Sequence, residues 1–418
     1  MSSHSERAAY PPESISDGRS SADTFDSGSV QETEAEIHVR SCEGRWPRVQ
    51  PASDALRPTR IIVDFDAIKH NLRAIQHAIG DETKVLVVVK ADAYGHGMVS
   101  VARRLQRENI FGFGVALAEE GLELRDAGVD AKVLVLNGVY GDAHAEVLTA
   151  GLTPVVYDLD DIDAFHRTSP EVFDVHLKID TGMSRLGILP SDLPQFLEGL
   201  RRFPRCRIDG IMTHFASADT DEEATLVQLK RFHEVRSQLL SAGIRPRIVH
   251  AANSAATFRF PEAHGSVVRS GTALFGHSGT SKVAPDLRLA MRWVSRVIAL
   301  RELPAGSTVG YGGTYTVTRR SRIATLPVGY GDGYLRSQSN RGSVLIGGRH
   351  CPVAGNVSMD LLSVDVTDAG PVEVGDEAVL LGAQGEETLS VDSLAASGQT
   401  LPYEVWTNIS RRVPRVYL

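Results

Sequence analysis

The sequence has few of the features that mark secreted, membrane-spanning or nucleic-acid-binding proteins. Its three cysteines are odd in number and widely spaced along 418 residues, so neither a disulfide framework nor a zinc site is predicted. No apolar run is long enough to cross a bilayer, and the first residues, MSSHSERAAYPPESISDG, lack the apolar core of a secretory signal. The net charge of -8 disfavours nucleic acid as the main partner, because phosphate binding needs a basic surface. We therefore expect a cytoplasmic protein without a membrane, nucleic-acid or metal partner.

Residues 1–52 differ in composition from the rest of the chain. The stretch SDGRSSADTFDSGSVQETEAE is rich in Ser, Asp, Glu and Gly and poor in large apolar side chains. Such a segment buries too little surface to offset the entropy lost on ordering, so we predict disorder there. A regulatory or partner-binding tail is the alternative that this composition leaves open.

From Thr59 onward, apolar runs alternate with amphipathic helical patterns such as EEATLVQLKRFHEVRSQLLSAG. Eight apolar runs are candidate strands: Val85–Val89, Phe111–Val115, Val133–Leu136, Pro154–Tyr157, Val175–Ile179, Ile208–Thr213, Ile248–His250 and Val267–Val268. Near-continuous apolar strands alternating with helices predict an α/β fold with a parallel sheet. Eight such units over residues 58–292 predict a TIM-like (β/α)8 barrel. A doubly wound open sheet is the alternative, but no G-x-G-x-x-G follows the first strand.

After about Arg292 the pattern changes to short β runs joined by glycine-rich turns, as in RVIALRELPAGSTVGYGGTYTV and GSVLIGGRHCPVAGNVSMDLLSVDV. This pattern predicts a second, mostly β domain over residues 293–418. The segment 58–64 contains a candidate strand at Ile61–Val63 that could pair with this domain rather than with the barrel.

The stretch VVVKADAYGHG, residues 87–97, places Lys90 at the end of the first predicted barrel strand. Catalytic side chains of barrel enzymes lie at the C-terminal ends of strands. A lysine there either reaches solvent, as most lysines do, or presents a pocketed amine that forms a Schiff base with a carbonyl compound. Strand position alone favours the solvent-exposed lysine, so the neighbouring motifs must decide.

Nine motifs occur in order through both predicted domains. They are KADAYGHG (90–97), HLKIDTGMSRLG (176–187), MTHFASAD (212–219), HAANSAAT (250–257), VVRSGTALFG (267–276), TVGYGGTY (308–315), PVGYGDGYLR (327–336), GNVSMD (355–360) and YEVWTNISRRVPR (403–415). In these motifs the sequence resembles alanine racemases over residues 58–418. The resemblance implies a homodimeric isomerase that uses pyridoxal 5'-phosphate (PLP), with a barrel followed by a β domain. It implies interconversion of L- and D-alanine, which supplies D-alanine for peptidoglycan.

By this resemblance, Lys90 carries PLP as a Schiff base and is one of two catalytic bases. Racemisation removes the Cα proton from one face and returns a proton to the other, so two bases on opposite faces are simpler than one that moves. Tyr311 matches the second base, and in the family this tyrosine reaches the site of the partner subunit. A phenol with a pKa near ~10 needs nearby cations or hydrogen bonds to act as a base.

The resemblance also implies which residues hold PLP. Besides Lys90, they are Tyr94, His214, Asn253, Ser254, Arg269, Gly271, Thr272 and Tyr403. Arg269 matches the partner of the pyridine nitrogen. A guanidinium stays protonated, with a pKa above ~12, so it leaves that nitrogen largely neutral and the electron sink weak. A weak sink favours racemisation over transamination.

The substrate carboxylate is implied to contact Arg185 and the backbone N–H of Met359. Lys178 matches a lysine that is carbamylated in many family members, where the resulting anion positions the arginine. Tyr403 narrows the substrate pocket in alanine racemases, and relatives that accept serine often differ there. The tyrosine therefore favours alanine as the substrate.

Three alternatives follow from the same motifs. A racemase for serine or a broader set of amino acids is disfavoured by Tyr403. A PLP-dependent decarboxylase of related fold is disfavoured by Arg269 and Tyr311. A non-enzymatic PLP carrier, which is typically a bare barrel, is disfavoured by the complete β domain.

Overall fold

The computed structural model describes residues 57–280, 283 and 285–418. The prediction of disorder for residues 1–52 lies outside these residues. Eight parallel strands form the first sheet: β2 (Lys84–Val88), β3 (Gly112–Val115), β4 (Val133–Val135), β5 (Thr153–Val156), β6 (Phe173–Lys178), β7 (Cys206–Met212), β8 (Ile248–His250) and β9 (Val267–Ser270). The sheet runs from β8 through β2 to β9. Backbone hydrogen bonds from Ser266 N to Val249 O and from Arg269 N to Ala252 O, each 2.9 Å, join β9 to β8.

This arrangement confirms the predicted TIM-like barrel and excludes an open doubly wound sheet. The predicted strands differ from the observed ones by a few residues at their ends; the last strand, for example, continues to Ser270. The helical elements of the barrel are α1 (Phe65–Ile79), α2 (Lys90–Tyr94), α3 (Met98–Leu105), α4 (Ala118–Asp126), α5 (His144–Thr149), α6 (Leu159–Thr168), α7 (Leu193–Leu200), α8 (Glu222–Ser241) and α9 (Ser254–Arg259). Short 3-10 turns at Pro261–Ala263 and Thr272–Phe275 follow α9 and β9.

The first long helix shows how the sequence sets such elements. The carboxylate of Asp64 accepts the Ala67 N–H at 3.0 Å and so caps α1. Apolar residues at helical spacing, among them Ile68, Leu72 and Ile75, are buried against the barrel. None of the helices in the described part of the chain is long and apolar enough to span a membrane.

The second domain is mostly β, as predicted. Its strands are β10 (Met291–Arg296), β11 (Ala299–Leu303), β12 (Thr308–Val309), β13 (Tyr315–Thr316), β14 (Ser321–Leu326), β15 (Ser343–Ile346), β16 (Arg349–Pro352), β17 (Leu362–Asp365), β18 (Glu377–Gln384), β19 (Glu387–Leu389) and β20 (Arg415–Tyr417). With β1 (Arg60–Val63), the main sheet has the order β16-β15-β18-β10-β1-β20, with β19 on β18; β11-β14-β17 and β12-β13 form two smaller sheets. Two helices, α10 (Val391–Gly398) and α11 (Pro402–Thr407), and 3-10 turns at Tyr311–Gly313, Tyr330–Asp332 and Arg336–Gln338 complete the domain.

Strand β1 precedes the barrel in sequence but lies in the β-domain sheet. It pairs antiparallel with β10 and parallel with β20. The chain therefore enters the barrel from the sheet to which it later returns. The sheet therefore holds the C-terminal strand β20 beside the turn that follows β2.

The two domains make close contact at the turn after β2. A Cβ atom built on Gly95 would lie 2.3 Å from the carbonyl oxygen of Trp406, and one on Gly97 would lie 1.9 Å from the hydroxyl of Tyr417. Both glycines also have positive φ, +78° and +93°. Arg415 donates from Nε to the carbonyl of Gly95 at 3.1 Å. The C-terminal residues thus pack directly on the backbone that follows Lys90.

This close approach predicts a selective loss of stability in Gly95→Ala. The matched control is Gly128→Ala, because Gly128 has a similar φ of +75° but a Cβ placed there would meet no heavy atom within 4 Å. Gly128→Ala should lower the free energy of unfolding by ~1 kcal/mol through backbone strain alone. Gly95→Ala should lower it by about 1–3 kcal/mol more, because Trp406 must move. Urea denaturation measures both, and equal losses would contradict the contact.

Candidate active site

The candidate site lies at the C-terminal ends of the barrel strands. Lys90 follows β2, Lys178 ends β6, His214 follows β7, His250 ends β8 and Arg269 lies on β9. Because parallel strands end at the same rim, these side chains share the barrel mouth. The site is therefore cationic on its barrel side.

The amine of Lys90 at this mouth has a shifted pKa. Burial, reinforced by the charges of Arg185 and Arg269, lowers the pKa of its amine below the ordinary lysine value, while Glu120 opposes the shift. A lowered pKa increases the fraction of neutral amine, which is the nucleophilic form. The structure therefore supports a pocketed amine and not a solvent-reaching lysine.

The backbone after Lys90 forms one left-handed turn. Ala91, Asp92, Ala93 and Tyr94 have φ between 51° and 55°, a conformation that costs roughly 1–2 kcal/mol per non-glycine residue. Local hydrogen bonds hold the turn: Glu120 accepts the Ala91 N–H at 2.7 Å, and Asp92 accepts the Met98 N–H at 2.8 Å through its carboxylate. Such a costly turn persists because its surroundings determine it.

The buried side chain of His96 stabilises the same turn through hydrogen bonds. Its Nδ1 lies 3.0 Å from the carbonyl oxygen of Ala93 and 2.9 Å from that of Tyr94, so Nδ1 carries the proton and donates it. The ring stacks on Phe275 at 4.1 Å and meets Trp406 edge-on at 5.4 Å. Burial lowers the pKa of His96 to about 3, so the imidazole is neutral at ordinary pH.

Arg269 is buried, and its guanidinium donates to three backbone carbonyl groups. The acceptors are Thr213 O at 2.8 Å, His250 O at 2.8 Å and Ala251 O at 2.9 Å. The Nδ1 atoms of His250 and His214 lie 3.3 and 3.2 Å from the same guanidinium. Burial lowers the pKa of Arg269 to about 10, so it remains a cation near neutral pH.

Arg269 also determines which ring nitrogen carries the proton in His250 and His176. Because a guanidinium only donates, Nδ1 of His250 must accept and its Nε2 must carry the proton. That Nε2 lies 2.8 Å from Nδ1 of His176, which therefore accepts as well. Burial lowers the pKa of His176 to about 4 and that of His250 well below its usual range. Gly210 makes room for this pair, since a Cβ there would lie 2.5 Å from Nδ1 of His176.

Lys178 is a second amine at the mouth, and this residue is buried. Burial, followed by the charges of Arg269, Arg185 and Lys90, lowers its pKa to about 8. Asp180 organises the loop that carries Arg185: its carboxylate accepts four backbone N–H groups, those of residues 182 to 185, at 2.9–3.0 Å. Arg185 itself is exposed at the rim of a cleft that Lys178, Asp180 and His214 also line.

A group of hydroxyls and backbone amides lies where α9 begins and β9 ends. Ser254 is buried, and its Oγ accepts the N–H groups of Gly271 at 3.0 Å and Ala273 at 3.3 Å. Gly271 allows the Tyr94 hydroxyl to approach, because a Cβ there would lie 2.4 Å from it. Burial raises the pKa of Tyr94 far above its usual value, so its phenol stays a proton donor. This cradle suits a phosphate group.

Three further predicted residues lie around this cradle. Asn253 caps α9 by accepting the Ala256 N–H at 3.0 Å. Thr272 is buried, and its side chain hydrogen-bonds Tyr403, whose pKa is raised by burial more than that bond lowers it. Tyr403 comes from α11 of the β domain and packs against Tyr94 with ring centroids 6.4 Å apart.

Two predicted site residues stand apart from this cluster. Tyr311 and Met359 belong to the β domain, and the two residues are 76% and 53% exposed. The carbonyl of Tyr311 accepts a hydrogen bond from Asn356 at 2.8 Å, and that of Met359 accepts the Gly331 N–H at 2.9 Å. Among the residues that the structure describes, no hydrogen bond or ring contact joins either one to the barrel mouth.

Sequence reasoning missed several residues that support the site. Glu120, Asp180, His96, His176 and Arg415 act on the backbone or on other side chains, so no pattern at the barrel rim marks them. Four of them, His96, His176, Asp180 and Arg415, do lie within the recognised motifs. No group of three or more His, Cys, Asp or Glu side chains in the described ranges is arranged to hold a metal ion.

The residues at the mouth fit PLP. A phosphate cradle, a pocketed amine and a protonated arginine match the three attachment points of this cofactor, namely its phosphate, aldehyde carbon and ring nitrogen. The barrel, the β domain and this mouth define the class of PLP-dependent barrel enzymes.

Comparison with known proteins identifies the family. The alanine racemase N-terminal domain matches residues 63–279, and the alanine racemase C-terminal domain matches residues 290–417. The chain is 44% identical to an alanine racemase of Sorangium cellulosum over 379 residues, covering 87% of this chain and 99% of the relative. An alanine racemase of Symbiobacterium thermophilum is 44% identical over 370 residues, covering 87% and 98%. The chain belongs to the alanine racemase family, whose members depend on PLP.

Solved structures agree with this assignment. The alanine racemase of Clostridium difficile superposes with a TM-score of 0.81 at 34% identity, covering 86% of this chain and 96% of that one. The biosynthetic alanine racemase of Pseudomonas aeruginosa gives 0.78 at 36% identity, covering 87% and 100%. The resemblance inferred from the nine motifs is confirmed.

The neutral buried histidines predict a pH dependence of stability. Because the folded pKa of His176, about 4, lies below the ordinary value near ~6.5, the unfolded chain binds a proton that the folded chain does not between these values. Stability is therefore present above pH ~6.5 and falls as pH drops toward 4, by about 1.4 kcal/mol per pH unit for this histidine. Urea denaturation between pH 7 and 4.5 measures the slope.

The variant His176→Asn isolates this contribution, because an amide oxygen can still accept the proton of His250. As the pH is lowered, the unfolding free energy of this variant should fall less steeply than that of the wild type. The difference in slope should be about 1.4 kcal/mol per pH unit, the contribution of one histidine. His77→Asn, at an exposed position of α1, is the control and should keep the wild-type slope. A wild-type slope in His176→Asn would contradict the assignment.

Proposed function

We propose that this protein interconverts L- and D-alanine with PLP as its cofactor. The observation that carries the proposal is the lowered pKa of Lys90, at the same rim as the buried cation Arg269. Membership of the alanine racemase family supports the same activity. Supply of D-alanine for peptidoglycan, in the cytoplasm, is the role that we infer for it.

The barrel mouth would hold the cofactor at both ends. Lys90 would bind it covalently through Nζ, Arg269 would face the ring nitrogen and His214 would lie beside the ring. The phosphate would be held by Tyr94, Asn253, Ser254, Gly271, Thr272 and Tyr403. Bound PLP withdraws electrons from an attached amino acid and so acidifies its Cα–H bond.

Arg269 favours racemisation over transamination. Its guanidinium already donates to three carbonyl groups and remains protonated, so it has no capacity to accept a proton. It therefore does not promote the strong electron withdrawal that a carboxylate partner would support. Weaker electron withdrawal would suit the simple return of a proton to Cα.

Two bases would move the proton. Lys90, released when substrate takes its place, would serve one face of Cα, and Tyr311 of the partner subunit would serve the other. The exposure of Tyr311 and Met359 in a single chain supports this arrangement, because both large side chains would be covered in a homodimer. Each active site would then need both subunits.

The substrate carboxylate would be held by Arg185 and by the backbone N–H of Met359 from the partner subunit. Lys178 has a pKa lowered to about 8, so a fraction of its amine is neutral near physiological pH and able to react with carbon dioxide. The carbamate formed, with release of one proton, would place a negative charge beside Arg185. Tyr403 would limit the space for the substrate side chain, which favours alanine over serine.

A mixing experiment tests the activity and the shared site together. Wild-type protein should racemise L-alanine, while Lys90→Ala and Tyr311→Phe should each lose at least ~1,000-fold in kcat, because each removes an essential base. Mixed and allowed to exchange subunits, the two inactive variants should recover roughly a quarter of wild-type activity, since half the dimers would be hybrids with one intact site. Polarimetry follows the reaction.

The controls are Lys84→Ala and Tyr315→Phe. Lys84 begins β2, the strand that precedes Lys90, and hydrogen-bonds Asn109. Tyr315 lies on β13, in the hairpin next to Tyr311, and hydrogen-bonds Asp365. Both should remain active. Mixed inactive variants that recover no activity would place Tyr311 outside the partner's site. Turnover of L-serine without turnover of L-alanine would overturn the substrate in favour of the serine or broad-specificity alternative.

A further inference from the structure

His277 lies between the barrel and the two C-terminal helices. It follows the 3-10 turn Thr272–Phe275, and its backbone N–H donates to the carbonyl of Thr272 at 3.0 Å. Its side chain is 18% exposed. The residue is therefore anchored to the loop that we assign to the phosphate cradle, while its ring faces the β domain.

The ring of His277 contacts three side chains of that domain. It meets Tyr403 edge-on, with centroids 6.0 Å apart at 89°, and meets Trp406 in the same way at 6.2 Å and 84°. Its Nδ1 lies 3.6 Å from a carboxylate oxygen of Asp392 on α10. Edge-to-face contacts of this kind stabilise a defined ring orientation.

The hydroxyl of Tyr403 is hydrogen-bonded to the side chain of Thr272, while its ring is held by packing. Tyr403 lies on α11, a helix of six residues, and is 40% exposed. Besides His277, the one aromatic ring that packs against it within the described ranges is Tyr94, at 6.4 Å and 48°. Its hydroxyl reaches Gly279, where a Cβ would lie 3.5 Å from it. Removing the His277 ring would therefore free one side of Tyr403.

We propose that His277 is a positioning residue that fixes the ring of Tyr403 and thereby sets the size of the substrate side chain that the site accepts. The proposal rests on the assignment of Tyr403 to the substrate pocket under the proposed function. His277 touches neither the substrate nor the cofactor in this scheme. It acts by holding Tyr403 through ring packing between the cofactor loop and α11.

Binding of unreactive carboxylates to the PLP-loaded enzyme tests the proposal without turnover. Propionate has the carbon skeleton of alanine, and 3-hydroxypropionate has that of serine. In His277→Ala, the preference for propionate, measured as a ratio of dissociation constants by calorimetry, should fall roughly three- to tenfold, which is the size of one edge-to-face contact. The ratio of kcat/KM for L-alanine over L-serine should fall by a similar factor.

Two variants show whether the effect belongs to the ring at this position. His277→Phe keeps an aromatic ring and should restore the wild-type ratios. His144→Ala is the matched control. His144 lies on α5, but like His277 it meets an aromatic ring edge-on, that of Phe165 at 4.6 Å, and lies 3.5 Å from a carboxylate oxygen of Asp161. This control variant should change thermal stability without changing either ratio.

The outcomes separate this proposal from the proposed function. If wild-type enzyme racemises alanine but folded His277→Ala keeps both ratios, the positioning role is overturned and the function stands. If His277→Phe fails as fully as His277→Ala, packing of the ring is not the cause and the proposal is likewise overturned. If wild-type enzyme racemises no alanine, the proposed function itself fails.

Discussion

The lysine amine at the end of an apolar strand is the group on which the rest of the structure depends. Lys90 sits where burial and two arginines lower its pKa, and its turn has a left-handed backbone that no isolated peptide of this sequence would favour. Glu120 and Asp92 hold that backbone through hydrogen bonds. The strained backbone therefore lies directly after the lysine whose amine would react.

The second domain helps to impose this geometry. Strand β1 places β20 beside the barrel, and Arg415 and Trp406 then pack on Gly95. The β domain therefore has two connections to the site of its own chain: it braces the lysine turn, and it supplies Tyr403. Tyr311 is exposed and stands apart from this site, which suits a role in the site of a second copy.

Much of this organisation could be predicted from sequence, for identifiable reasons. Barrel strands are nearly continuous apolar runs, so eight of them alternating with helices predict the barrel, while the role of the lysine that ends the first run had to come from the neighbouring motifs. The left-handed turn could not be predicted, because KADAY contains no glycine and local propensity argues against positive φ. His96 and His176 were missed because their roles depend on contacts with residues distant in sequence, Phe275 and Trp406 for His96 and His250 for His176. The contact of β20 with Gly95 joins residues more than three hundred positions apart, where no local pattern can indicate it.

Two amines at the mouth, those of Lys90 and Lys178, have lowered pKa values, so the central claim concerns which one binds the cofactor. The direct measurement is reduction of the PLP-loaded enzyme with borohydride, followed by proteolysis and mass spectrometry of the peptides. We expect a single pyridoxyl group, on the peptide that contains Lys90. A pyridoxyl group on the Lys178 peptide, with Lys90 unmodified, would contradict the claim.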